Sequence, residues 1–145
     1  MIRLPPRTPI ALTALGVAPF VIGSIGAYTD TVLTLFPYRS VESVIHYGII
    51  ILSFMTGILW GFASKDDGKS SYAYITSVLP ALYVFFFVVG TDADRLEALM
   101  FGFAIILSID LSFQQAKLAP NWWMSLRIPA TLVVLASLYL TRISV

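Results

Sequence analysis

Residues 41–63, VESVIHYGIIILSFMTGILWGFA, decide how this chain folds: apart from Glu42 and His46 near its start, the stretch contains no ionisable group stronger than a tyrosine. At about 1.5 Å per residue, a helix over these positions is long enough to cross the roughly 30 Å hydrocarbon layer of a bilayer, which takes about 20 residues. A spanning segment has only two ways to satisfy its backbone, as a helix or in a closed barrel, because lipid offers no hydrogen bonds. A barrel strand alternates apolar and polar residues over about ten positions. Residues 41–63 do not alternate, so they are read as a helix. Directly after them comes the most polar run of the chain, Lys65-Asp66-Asp67-Gly68-Lys69-Ser70-Ser71, an exposed connection.

Working outward, four more apolar blocks of similar length appear, and the five predicted spans are 9–27, 41–63, 72–89, 95–114 and 122–140. The predicted class is therefore all-α, a single transmembrane domain over 1–145, with five membrane-spanning helices. Composition agrees: 58% of residues are hydrophobic, 12% are charged, and the mean hydropathy is +0.86. That is too little polar surface to coat a soluble domain of this size, so lipid is the expected solvent. Thr8 with Pro9, Ser40 with Glu42, and Asp94 with Glu97 are the residue types that start helices, and they are expected to cap the first, second and fourth spans.

Basic residues near spans stay on the cytoplasmic side. Arg3, Arg7, Lys65, Lys69, Lys117 and Arg127 fall on one side of the five-span arrangement and Arg39, Arg95 and Arg142 on the other. The expected orientation is N-terminus in, C-terminus out, in the cell inner membrane. A competing reading makes residues 1–27 a cleaved signal peptide, but the apolar region is long for that and Pro19 interrupts it.

The chain has no cysteine and one histidine, His46, which removes thiolate chemistry, disulfides and any metal site needing several His or Cys ligands from this chain. The net charge of +1 leaves no nucleic-acid footprint. No phosphate-binding loop is present either, so the expectation is a protein that is not an enzyme and carries no cofactor or metal. The lipid bilayer is the expected partner, and a larger membrane complex or a homodimer is the candidate beyond it.

Small residues recur at helical spacing. Ser53, Gly57 and Gly61 repeat along the second span, and Gly16, Gly23 and Ala27 along the first, which lets neighbouring backbones approach closely. They are expected to be internal seams, the alternative being a face for a second copy or a partner subunit. Pro19, Pro80 and Pro129 lie inside spans, where each withholds one backbone hydrogen bond. Aromatic residues sit mostly where the interface wants them: Trp122 and Trp123 at the start of the fifth span, Tyr72 and Tyr74 at the start of the third, Tyr28, Tyr38 and Tyr47 on the opposite boundary. A groove for a tetrapyrrole, quinone or carotenoid is a lesser alternative reading of this abundance, with Trp60 the first aromatic to test.

Ionisable residues inside a bilayer are costly and usually face the bundle interior. Asp110 lies about four residues before the end of the fourth predicted span and Arg127 about five after the start of the fifth, so both are roughly 7 Å inside the same leaflet. They are expected to form a membrane-embedded ion pair, either fixing two helices together or serving a proton or substrate. His46, one turn after Glu42, is a weaker candidate for proton exchange on the second span.

The segment Phe54-Met55-Thr56-Gly57-Ile58-Leu59-Trp60-Gly61, together with Asp110 and the segment Pro120-Asn121-Trp122-Trp123-Met124-Ser125-Leu126-Arg127, resembles an uncharacterised family of small bacterial inner-membrane proteins, domain of unknown function family 3429. The family also includes a mitochondrial transmembrane protein. The resemblance covers nearly the whole chain and implies five spans but no established activity. It implies that Trp60, Gly61, Asp110 and Arg127 form one cluster at the cytoplasmic side. The family pattern tends to carry a histidine before the second-span tryptophan, where this chain has Leu59, so the resemblance implies no histidine-based role here. Two function classes follow: an accessory or assembly subunit of a larger bioenergetic or transport complex, or a small carrier or sensor that binds a small molecule or proton inside the bundle.

Overall fold

The computed structural model describes residues 4–29, 39–65 and 71–145. These described residues form five helices: α1 (Arg7–Gly26), α2 (Ser40–Ser64), α3 (Ser71–Phe87), α4 (Asp92–Gln115) and α5 (Trp123–Ile143). α1, α2, α4 and α5 are each long and apolar enough to cross a membrane, whereas α3 is a shorter apolar helix of 17 residues. At about 1.5 Å per residue α3 spans about 25 Å, a few ångströms less than the hydrocarbon layer. Of the positions weighed above, Arg3, Tyr38, Lys69 and the rest of the polar connection at 66–70 lie outside the described residues.

The helices form a ring in which α1 packs on α2, α2 on α3, α3 on α4, α4 on α5 and α5 back on α1, with α2 and α4 also meeting across the middle. Glycines permit that central approach. A Cβ on Gly48 would stand 2.9 Å from Leu99, and one on Gly102 would stand 2.5 Å from Leu52 and 3.1 Å from Tyr83. Phe20 of α1 fills the adjoining space, its ring 5.0 Å from Tyr47 and 5.8 Å, edge-on, from Phe103. Tyrosine hydroxyls then tie the ring at three joints. Tyr47 donates to the Gly16 carbonyl at 2.8 Å, Tyr83 to Ala98 at 2.9 Å, and Tyr28 to Leu140 at 2.6 Å. The outer surface stays apolar, with Phe85, Phe86, Phe87 and Phe101 all exposed, as a surface solvated by lipid requires.

Helix starts differ from the sequence expectations in register. Thr8 does not cap α1, which begins at Arg7 after Pro6, and Ser40 is the first helical residue of α2 rather than its cap, with Arg39 preceding it. The capping box of α4 is formed by Thr91 and Asp94, not Asp94 and Glu97: the Asp94 N–H donates to Thr91 Oγ1 at 3.2 Å and the Thr91 N–H to Asp94 Oδ2 at 3.0 Å. Glu97 is left to accept from Arg142 Nε on α5 at 2.8 Å. Gly90, at φ +97°, makes the turn from α3 into that box, a backbone conformation glycine adopts at no steric cost.

The small-residue seams divide. Gly23 is internal, since a Cβ there would collide with Val44 of α2, and Gly16 lies under Tyr47. Ser53, Gly57 and Gly61 are not an internal seam: all three are exposed, and a Cβ on Gly57 or Gly61 would meet nothing within 4 Å. α2 buries Ile45, Gly48, Leu52, Met55 and Leu59 instead, on the opposite side of the helix.

Candidate functional site

Asp110 and Arg127 come together where α4 turns back into α5. α4 ends in a two-bond cap: Leu118 N–H donates to the Phe113 carbonyl at 2.9 Å and Lys117 N–H to Gln114 at 3.0 Å, with Lys117 left-handed at φ 61°. This is the Schellman arrangement that satisfies otherwise orphaned carbonyls, with lysine in the place glycine usually takes. The Gln114 side chain then clamps the next helix, Nε2 donating to the Asn121 carbonyl at 3.0 Å and Oε1 accepting from the Met124 N–H at 3.0 Å. The turn therefore fixes the rotation of α5 relative to α4, and that rotation aims Trp123 and Arg127 at Asp110.

The carboxylate is fully buried and both of its oxygens are used. Arg127 Nε donates to Oδ2 at 2.8 Å and Trp123 Nε1 donates to Oδ1 at 2.7 Å. Trp123 and Arg127 are four residues apart on α5, one above the other on the same face, and the guanidinium carbon lies 6.0 Å from the indole ring centre. Phe62 of α2 packs edge-on against that indole at 5.0 Å. Charge neutralisation and two charge-assisted hydrogen bonds offset the cost of placing a carboxylate in a low-dielectric interior, which is several kcal/mol for an unpaired ion.

Trp60 does not join this cluster. It is about half exposed, and its ring packs edge-on against Tyr74 of α3 at 4.8 Å. The tryptophan at the site is Trp123, which reads from sequence as an interfacial aromatic; its spacing of four from Arg127 was the available signal. Gly61 is beside Trp60 on the outer face, likewise apart from the pair. Glu42 and His46 sit partly buried one turn apart near the start of α2. Phe62, which touches the cluster, is sixteen residues further along α2 than His46, about 24 Å by helical rise, so the two sets of ionisable groups occupy opposite ends of the bundle.

Beside the ion pair lies a cavity of about 350 Å³ between α1, α2 and α5, closed on the inside by Phe103 of α4. Arg127 and Thr131, again one turn apart, both line it. Each is buried and each carries a polar atom with no hydrogen-bond partner among the described residues, Arg127 Nη2 and Thr131 Oγ1. A helical threonine commonly turns its hydroxyl back to the carbonyl of the preceding turn, as Thr141 does to Ser137 at 2.8 Å, and Thr131 does not.

Five apolar helices, an ion pair buried between two of them and an apolar exterior define a small multi-pass α-helical membrane protein. The chain belongs to the family described as protein of unknown function DUF3429, whose match covers residues 5–143. It is similar to transmembrane protein 69 of mouse, 26% identical over 144 residues covering 95% of this chain and 56% of that protein. Transmembrane protein 69 of the frog Xenopus tropicalis is 32% identical over 97 residues, covering 63% of this chain and 38% of that protein. The chain thus spans about half the length of the mouse protein. No solved structure matches it.

Proposed function

We propose that this protein is a non-catalytic accessory or assembly subunit of a larger inner-membrane complex, docking a partner's transmembrane helix on the outer face of α2. The observation that carries this reading is the exposed row Ser53, Gly57 and Gly61, with open space beside both glycines. In lipid there is no hydrophobic gain from pairing apolar helices, so association relies on close backbone approach, which small residues four apart permit. Of the hydroxyls near this row, Thr56 already donates to the Ser53 carbonyl at 2.6 Å and Ser64 to the Trp60 carbonyl at 2.9 Å, so another helix can cover these two without stranding them. Continuous helical spans favour the inner membrane, since outer-membrane proteins cross as barrels.

Native mass spectrometry after mild detergent extraction tests the proposal. The expected result is a co-purifying membrane subunit that is lost in Gly57→Leu and Gly61→Leu variants while the bundle itself keeps its melting temperature. A chain that extracts alone, with the same mass in wild type and variants, would overturn it.

A second reading, a bundle that holds a small molecule, is favoured by the cavity beside Arg127 and Thr131.

A further inference from the structure

We infer that the N-terminal half of α1, residues 7–15, is a hinged strap that swings about residues 16–19 toward α2 and closes the groove between α1, α2 and α5. The inference is independent of any partner docked on the outer face of α2 and of any small molecule held in the bundle.

The two halves of α1 are held differently. Every buried residue of the helix lies beyond Pro19: Phe20, Gly23, Ser24 and Gly26. Phe20 is wedged against Tyr47 and Phe103, Gly23 lies against Val44, and just past the helix Tyr28 donates to the Leu140 carbonyl. Before Pro19 no residue of the helix is buried, and Leu12 and Leu15 are 63% and 69% exposed. Contacts of that kind hold an arm weakly, because lipid offers an apolar helix face the same dispersion contacts that a neighbouring helix does. The joint lies where the two regimes meet. Pro19 has no N–H to give the Leu15 carbonyl, and Gly16 has no side chain to brace a bend. Tyr47 donates to the Gly16 carbonyl at 2.8 Å, which anchors the joint to α2 and leaves residues 7–15 as the free arm.

The groove is the space this arm can fill. Pro9, Leu12, Thr13, Gly16 and Val17 recur at spacings of three and four, so they share one face of α1, and all of them line the groove. Ile51, Phe54 and Ile58 give the matching face of α2, and the space enclosed is about 350 Å³. Unfilled space between apolar faces forfeits dispersion contacts on both sides. Either acyl chains entering sideways or the arm moving inward restores them. The two fillings are chemically alike, so neither has a large advantage and the strap has two accessible positions. Trp123 and Arg127 form part of the α5 wall and are the residues that hold Asp110, so closure seals lipid off from that flank of the ion pair. An arm about 13 Å long that bends by about 20° at the joint moves its tip by about 5 Å.

The test uses the full chain, free of native cysteine, in nanodiscs, with distances between paired spin labels read by double electron–electron resonance. Thr8→Cys with Ser64→Cys spans the arm and the end of α2, and Ile25→Cys with Ile50→Cys spans the anchored half; all four positions are exposed. Pro19→Ala returns the missing N–H, and Ala130→Phe puts a ring into the groove from α5. Melting curves verify that both variants fold, and either one alone still tests the strap. The expected result is two distances about 5 Å apart for the first pair and one for the second. Pro19→Ala should merge the two into one, and Ala130→Phe should remove the shorter. A single distance for the first pair, or two that neither variant alters, would overturn the strap. A response to Ala130→Phe without one to Pro19→Ala would overturn the hinge, and the converse would overturn closure onto the groove. Two distances for the second pair would overturn the division of α1 into an anchored and a free half.

Discussion

Arg127 Nε lies 2.8 Å from Asp110 Oδ2, a pair joined across the turn between α4 and α5, with the carboxylate fully enclosed. Its partner Trp123 Nε1 holds the other oxygen at 2.7 Å, so neither charge can be removed without stranding the rest of the arrangement.

Because the pair is buried, truncating one side leaves an uncompensated polar or charged group. Asp110→Asn and Arg127→Met are each expected to destabilise the bundle, Arg127→Met by about 3–5 kcal/mol, while the double variant loses clearly less than the sum. Equilibrium unfolding of the four proteins in mixed micelles reads this out. Strictly additive losses would exclude a direct interaction.

Trp123→Phe keeps the aromatic packing against Phe62 but deletes the donor to Asp110. A loss of about 1.5–3 kcal/mol is expected, the usual worth of a hydrogen bond to a charged group. Trp60→Phe, at a half-exposed ring outside the cluster, should stay within about 0.5 kcal/mol of wild type. Equal effects from the two substitutions would show that the indole N–H at 123 is not what matters.

Glycine substitutions separate the internal seam from the outer face. Gly23→Ala must displace Val44 and is expected to cost about 1–3 kcal/mol. Gly57→Ala meets open space and is expected to be neutral or slightly stabilising in the isolated chain, since alanine is the better helix former by up to about 1 kcal/mol. Thermal melts in detergent decide between them, and a large loss at Gly57 in a purified monomer would contradict its placement on the exterior.

Lys117 holds a left-handed conformation that costs an ordinary residue about 1–2 kcal/mol. Lys117→Gly should therefore stabilise the α4 cap, by about 0.5–1 kcal/mol after the entropy of glycine in the unfolded chain is counted. A lower melting temperature for this variant would mean that the lysine side chain contributes more than its backbone loses.

The native absence of cysteine makes orientation directly measurable. With the N-terminus in, Ser144→Cys is expected to react with a membrane-impermeant maleimide on intact cells and Ser64→Cys only after permeabilisation. The reverse pattern would invert the topology inferred from Arg3, Arg7, Lys65, Lys69, Lys117 and Arg127 against Arg39, Arg95 and Arg142.

Much of the site was legible because depth in a membrane can be counted along the chain. Asp110 and Arg127 sit at matched distances from one short connection, and antiparallel neighbours at equal depth meet. The tryptophan was not legible in the same way: Trp122, Trp123 and Trp60 all stand near span ends where lipid headgroups attract indoles, and only the clamp made by Gln114 on Asn121 and Met124 determines which indole turns inward. The caps slipped by a few residues for a related reason. Around position 91 several neighbours, Thr91, Asp92 and Asp94, all have capping side chains, and the choice among them depends on the turn that Gly90 makes.

By itself the sequence determined that the chain is helical, embedded in lipid and folded back on itself between its apolar spans, because apolar length and the missing backbone partners in hydrocarbon leave no other solution. Only the tertiary structure decided which side of each helix faces inward. Residues such as Leu52 and Phe54 are equally apolar, and lipid is as apolar as the core, so hydropathy carries no preference between a buried and a lipid-facing stripe. Steric fit at Gly48, Gly102 and Gly23 makes that choice, and in making it turns Ser53, Gly57 and Gly61 outward and leaves the cavity beside Arg127 and Thr131.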